Sequence, residues 1–461
     1  MTNPESTVEE RKQIYRDFYN NKLPKRLPVS ASIPYSILAD QGGLDPVSYQ
    51  YDFNMLADSA DTLCQKIYSD SCPVAPPNLV LTRPPSFYEL LHSNNFVMSQ
   101  TGQMQHPEVM GMDASGYPEL IERGFDYLVE EVVPNQHPML SLDDPIQRST
   151  YLEMAKTSLT QDTVNFLPIY GGLVEKYGYY PGSPRGSFAI SEAPMDFVAD
   201  QLRSFSGISK DIRRNPTLVQ EACEAVLPLV FKWGLPALAH PEGGCFLPLH
   251  MPTFMREKDF VELYMPTFKK QLQQYAALGI RPSIFCEDNW MRYLDILLEE
   301  LPAGTKIQFE YGDPKIIKEK LGKKFILTGL FPVSSLKMDT PAQIVDRAKE
   351  FLDIMMPGGG YLFGFDKSPL GPKDANIETW AALNNFLKDY MVYDNPGESF
   401  GTPLNSEGFQ RDLAVVPDVK SKYLFDWESH IARYPHATDH AKARYESISH
   451  DIFVSYMNLL I

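Results

Sequence analysis

Between Lys306 and Pro332 the chain reads KIQFEYGDPKIIKEKLGKKFILTGLFP. Lys306–Glu310 reads as a strand, Pro314–Leu321 as a helix and Lys324–Leu330 as a second strand. Strand, helix and strand in so short a span imply parallel strands joined by a crossover helix. The strands are nearly continuous apolar runs, as expected when both faces of a sheet are covered.

The alternation extends both ways. Upstream stand the strand Cys245–His250, the helix Lys258–Leu278, the strand Pro282–Cys286 and the helix Met291–Leu301. Downstream come a helix at Pro341–Met355, the strand Tyr361–Phe365 and a helix at Ile377–Tyr390. Such a run fits a doubly wound sheet or a (β/α)8 barrel. Further upstream, Pro194–Leu202 and Pro216–Phe231 have helical periodicity, with Asn215 as N-cap and Pro216 at the first helical position. The front of the chain is less regular. Glu5–Asn20 predicts a surface helix and Arg26–Pro34 a buried strand. Between residues 40 and 180 lie Pro-rich loops, a short strand at Leu79–Thr82, and a helix at Pro118–Arg123 followed by a strand at Asp126–Val133. That region reads as insertions on a scaffold or as a lid. Gly358-Gly359-Gly360 precedes a strand and lacks a GK[ST] ending, so it predicts a turn and not a phosphate loop.

Composition narrows the partners. Of 461 residues, 42 are basic and 59 acidic, for a net charge of −17, and 43% are hydrophobic. A core of that size excludes wholesale disorder. The charge argues against nucleic acid and against an anionic membrane surface. Cys64, Cys72, Cys223, Cys245 and Cys286 contain no CxxC pair, so neither a zinc ribbon nor a disulfide scaffold is indicated. Met1–Tyr15 is polar, and no apolar stretch reaches the roughly 18 residues that a membrane span needs. A reduced, cytoplasmic protein is expected.

Several fragments, in this order, resemble the uroporphyrinogen decarboxylase superfamily. Leu202-Arg203, Asp211 and Asn215-Pro216 are similar to its middle helices. Phe260–Pro266 (FVELYMP), with Phe268 and Gly279, is similar to the helix before its metal-bearing strand. Lys324–Pro332 (KFILTGLFP) resembles its GNLDP strand, Thr340-Pro341 with Ile344 its TPEEI helix start, and Asn376 the start of its terminal helix. The resemblance covers roughly Asp196–Tyr390, more weakly from Arg26. It implies a (β/α)8 TIM barrel over residues 26–394, flanked by an N-terminal helical extension (1–25) and a C-terminal extension (395–461). It also implies one of two activities, porphyrinogen decarboxylation or corrinoid-linked methyl transfer.

Barrel sites lie at the C-terminal ends of strands. Those ends carry His250, Cys286-Glu287-Asp288, Glu310 with Asp313, and Asp366. An acidic cluster there calls for a bound cation, a cationic substrate or a shared proton. His250, Glu287 and Glu310 are the catalytic candidates, His250 as acid or base. The methyltransferase branch resembles a zinc site of His-x-Cys plus a distant Cys. Here Cys286 keeps the sulfur, no His stands two positions before it, and Asp366 lies nearest the distant cysteine's place. Cys286, Glu310 and Asp366 are therefore the metal candidates implied for zinc. Asp113 and Phe331 are the substrate-binding candidates, with Phe331 lining an apolar pocket. The decarboxylase signature Arg-Gln-Ala-Gly-Arg is absent after Arg26, and a polycarboxylate substrate wants a basic cleft.

The expectation is a corrinoid-dependent methyltransferase. It would take a methyl group from a methyl ether (O-demethylation) or a methylamine to the cobalamin of a partner corrinoid protein. The resemblance also suggests a homodimer. The alternatives are a uroporphyrinogen-type decarboxylase and a non-catalytic tetrapyrrole-binding module.

Overall fold

The computed structural model describes residues 4–74, 85–99, 104–165, 167–404 and 416–460. The strand expected at Leu79–Thr82 lies outside them. A small antiparallel hairpin, β1 (Val97–Met98) and β2 (Met104–Gln105), stands apart from the main sheet. The sheet holds β3 (Phe188–Ile190), β4 (Gly244–Leu249), β5 (Pro282–Asn289), β6 (Lys306–Tyr311), β7 (Ile326–Phe331) and β8 (Tyr361–Phe365). All six strands are parallel and neighbour one another in chain order. Five match the expected strands; β3 is an addition.

Each junction has a local cause. The carboxylate of Asp313 accepts from the N–H groups of Lys315 and Ile316 at 2.9 and 3.1 Å, starting the helix Pro314–Leu321. Thr340 and Gln343 form a reciprocal capping box for the helix Pro341–Met355. Asn376 caps the helix Ile377–Tyr390. Gly358, Gly359 and Gly360 all take left-handed φ values, 74°, 73° and 73°, which only glycine adopts without strain in the turn leading to β8. β7 is buried along its whole length.

The mixed α/β class is as expected, but closure into a ring of eight is not seen. Among the described residues the hydrogen-bonded ladder stops at six strands. The segment around residues 27–33 is buried as expected, and it meets the chain's next segment at one isolated parallel bridge, Ile33 to Val74, with hydrogen bonds from the Asp70 N–H to Val29 and the Ile33 N–H to Pro73; Ser71 in turn bridges to Tyr180. Prolines 28, 34 and 73 remove donors that a longer ladder would need.

A buried ion pair ties this front region together. Arg26 grips Asp70 with two hydrogen bonds of 2.6 Å. The Tyr68 hydroxyl and the Val29 N–H also donate to Asp70, each at 2.8 Å. Burial opposes the charge, but the Arg26 contact outweighs it and holds Asp70 below the ordinary carboxylate range.

One expected strand is helical instead. Asp126–Val133 falls within consecutive helical turns from Phe125 to Gln136. Phe125, Leu128, Val132 and Val133 recur at helical spacing and are buried, while Gly124 at φ 51° breaks the preceding helix, Tyr117–Arg123. The C-terminal helix Asp439–Met457 packs Phe453 against Phe125, with ring centroids 5.0 Å apart. No helix among the described residues is long and apolar enough to cross a membrane.

Candidate active site

Four consecutive strands deliver one ionisable group each near their C-terminal ends. Glu192 follows β3, His250 follows β4, Glu287 lies near the end of β5 and Glu310 near the end of β6. Together they line a cavity of about 650 Å³, a volume suited to a small molecule. Asp200 joins them from the helix after β3. That helix begins as Pro194–Phe197 and continues as a π-helical turn, Val198–Arg203. Such turns are wider than α turns and recur at functional sites. Ser204, just beyond it, adopts φ 63°, and Asp288 adopts φ 55°; both line the same cavity.

His250 is the hub. Its Nδ1 lies 2.6 Å from Asp200 Oδ2 and its Nε2 lies 3.2 Å from Glu287 Oε1. Ionised carboxylates only accept, so both ring nitrogens donate and the ring is an imidazolium. Burial works against that charge, but the bonds to Asp200 and Glu287 prevail and push its pKa up to about 11. Asp196 holds the backbone in place. Its Oδ1 accepts from the N–H groups of His250 and Met251 at 3.1 and 2.7 Å, and its Oδ2 from the Tyr264 hydroxyl at 2.5 Å. Burial and the charge of Asp200 raise the Asp196 pKa, although these donors work the other way.

Glu192 is only 6% exposed. Gln201 Nε2 donates to its Oε1 at 2.8 Å, while its Oε2 has no hydrogen-bond partner. Burial, then the nearby charge of Asp200, pushes the Glu192 pKa up to about 8. It is thus a carboxylic acid near neutral pH, able to give a proton. Asp200 Oδ1 is likewise buried without a partner. Glu310 is different. Lys367 Nζ and the Asp288 N–H donate to it at 2.6 and 2.7 Å, and against partial burial they hold its carboxyl below the ordinary range.

Part of the remaining wall is aromatic. Phe205 meets Phe254 edge-on with centroids 5.6 Å apart, and Phe96 stacks on His106 at 4.4 Å. Phe96 and His106 flank the β1–β2 hairpin. Burial holds the His106 pKa below its ordinary value.

The three catalytic candidates therefore meet, and the metal and substrate candidates do not. Cys286 is fully buried and does not belong to the cavity wall, whereas its neighbour Glu287 does. Alternation along β5 turns Cys286 into the core and Glu287 to the cavity, and a register shift just beyond lets Asp288 reach the cavity as well. Burial pushes the Cys286 thiol far up, which suits an inert cysteine and not a thiolate ligand. Asp366 closes a turn, where its Oδ1 accepts from the N–H groups of Val333 and Lys367 at 2.9 and 2.7 Å. Cys286, Glu310 and Asp366 thus do not fit one zinc ion. Among the described residues no group of three or more His, Cys, Asp or Glu side chains is placed to hold a metal. Phe331 packs in the core against Phe351 and Phe363, at 5.5 and 5.1 Å, and not in the cavity. Asp113 is exposed beside a short turn, Ala114–Gly116, outside the cavity wall.

Sequence reasoning missed Glu192, Asp200 and His106. A signal existed for the first two: acids at 192, 196 and 200 interrupt the otherwise apolar stretch EAPMDFVAD at helical spacing. Buried acids of that kind need partners or a purpose. His106 sits in a loop-rich region with no pattern to single it out. Arg203 and Asp211, marks of the resemblance, form a buried structural ion pair at 2.8 Å. Comparison with protein-family models and with curated proteins finds no match for this chain.

Proposed function

We propose that this cavity is the active site of a methyltransferase. The enzyme takes a methyl group from a small methylated ether or amine and passes it to the cobalamin of a partner corrinoid protein. The observation that carries the reading is the convergence of a protonated acid, Glu192, and a charged His250 on one aromatic-walled cavity at the strand ends. The resemblance to the uroporphyrinogen decarboxylase superfamily supports it, and with it an eight-fold barrel that residues 27–33 and 70–74 would complete. Reduced cobalamin, when the partner presents it, supplies the nucleophile that accepts the methyl group.

The chain's own part is polarisation and positioning. A methyl group on a neutral oxygen is a poor electrophile until its leaving atom is protonated. Glu192 or His250 would supply that proton as the carbon–oxygen bond breaks and its electron pair stays on oxygen. Asp200 and Glu287 hold His250 charged and oriented. Phe205 and Phe254 keep one flank of the cavity apolar. No step passes through zinc, because its candidate ligands are apart. An acidic cavity also disfavours the decarboxylase alternative, whose substrates carry several carboxylates.

The test is methylation of a reduced corrinoid protein, followed by absorbance, with a panel of methyl ethers and methylamines as donors. Transfer from at least one donor is expected, and transfer from an ether should fall roughly 100-fold or more in His250→Ala, the usual effect of removing a general acid. A folded enzyme that moves no methyl group from any donor overturns the reading.

A further inference from the structure

The cavity wall is one-sided in charge. Glu108, Asp200, Glu287, Asp288 and Glu310 belong to it beside the protonated Glu192, and among the described residues no lysine or arginine does. Lys367 reaches Glu310 from outside and offsets that one carboxylate. His250 offsets one more, yet it is shared between Asp200 and Glu287, so the centre keeps an excess of negative charge. Two buried oxygens, Glu192 Oε2 and Asp200 Oδ1, have no partner within the protein. Their residues are sealed, at 6% exposure for Glu192 and 6% for the Asp200 side chain. Leaving such atoms unmet is costly, so a native site that keeps them is arranged for something else to meet them. Phe205 and Phe254 also line the cavity, and phenyl faces attract cations.

We infer that the methyl donor is an organic cation, a methylated ammonium compound, held with its charge toward Asp200 and Glu287 and its methyl groups against Phe205 and Phe254. The inference rests on the methyltransferase reading for its chemistry but not for its binding. A quaternary nitrogen suits a site without converging metal ligands. When one N–CH3 bond breaks, the electron pair stays on nitrogen and a neutral tertiary amine leaves. The methyl group goes to the reduced cobalamin of the partner, and no proton has to be supplied. A neutral ether of the same shape would offer these carboxylates no counter-charge.

The test is equilibrium binding by calorimetry, on the full chain without any corrinoid partner. Choline is compared with 3,3-dimethylbutan-1-ol, which replaces the charged nitrogen by carbon at the same shape. Choline is expected to bind at least tenfold more tightly. Asp200→Asn and Glu287→Gln should each weaken choline roughly tenfold while leaving the neutral alcohol unchanged. If Asp200→Asn does not fold, Glu287→Gln, at a half-exposed position, carries the same comparison. Equal or tighter binding of the alcohol overturns the inference, as does choline affinity unaltered in the folded variants. Failure of methyl transfer with choline binding intact would strike the functional reading and leave this one standing.

Discussion

Glu192 shows how a single residue can be placed at a cost to stability. In an unfolded chain its carboxyl ionises near the ordinary glutamate value of 4.5, whereas in the fold it holds its proton up to about 8. The folded state then binds more protons than the unfolded state across that window, so stability falls as pH rises through it. Glu192→Gln keeps the shape and removes the titration. The variant should match the wild type in acid and exceed it by about 1–3 kcal/mol above pH 8, the scale of an unsatisfied buried polar group. Thermal melts of both proteins from pH 5 to 9 check this; parallel curves would mean that Glu192 is not held as an acid. Cys286 and Glu287 make the complementary point. Adjacent in sequence and equally plausible as ligands, they are separated by the two-residue period of a strand, which puts one in the core and the other in the cavity.

At the scale of elements, the crossover helices are started by short-range chemistry that a reader of the sequence can see. Asp313 before Pro314, Thr340 before Pro341 and Asn376 before Ile377 each satisfy orphan N–H groups at a helix start. Removing one should be felt locally. Asp313→Ala is expected to cost about 1 kcal/mol in denaturant unfolding and to leave ligand binding intact, because the cap lies outside the cavity wall. A loss of binding in that variant would mean that the helix start helps to shape the site. The expected strand Asp126–Val133 is helical for a physical reason of its own. Its apolar residues are dense enough to satisfy both a two-residue and a helical period, and packing against Phe453 favours the helix. The π-helical turn Val198–Arg203 has no sequence signature of its own, yet it brings Asp200 to His250.

Across the whole molecule, the Asp70–Arg26 pair couples the first buried segment to the second. Because the Asp70 carboxyl is held below its ordinary value in the fold, its contribution is present above the unfolded value and is lost as pH falls through the folded one. Asp70→Asn leaves Arg26 buried without its counter-charge and should destabilise the protein by about 3 kcal/mol, near the lower bound for breaking a buried pair. Urea titrations at pH 7 measure this directly. A loss under 1 kcal/mol would mean that the front region is held by its apolar contacts alone.

From the sequence alone came the parallel α/β class, the order of five strands, the helices between them, and the acidic character of the strand ends. These depend on composition, periodicity and neighbours a few residues apart, so they can be read along the chain. Only the tertiary structure decided which of those acids share a cavity. It brought Glu192 and Asp200 to His250, turned Cys286 and Phe331 into core, and left Asp366 to close a turn. Strand parity, helix phase and burial set those outcomes, and each depends on contacts between residues far apart in the chain.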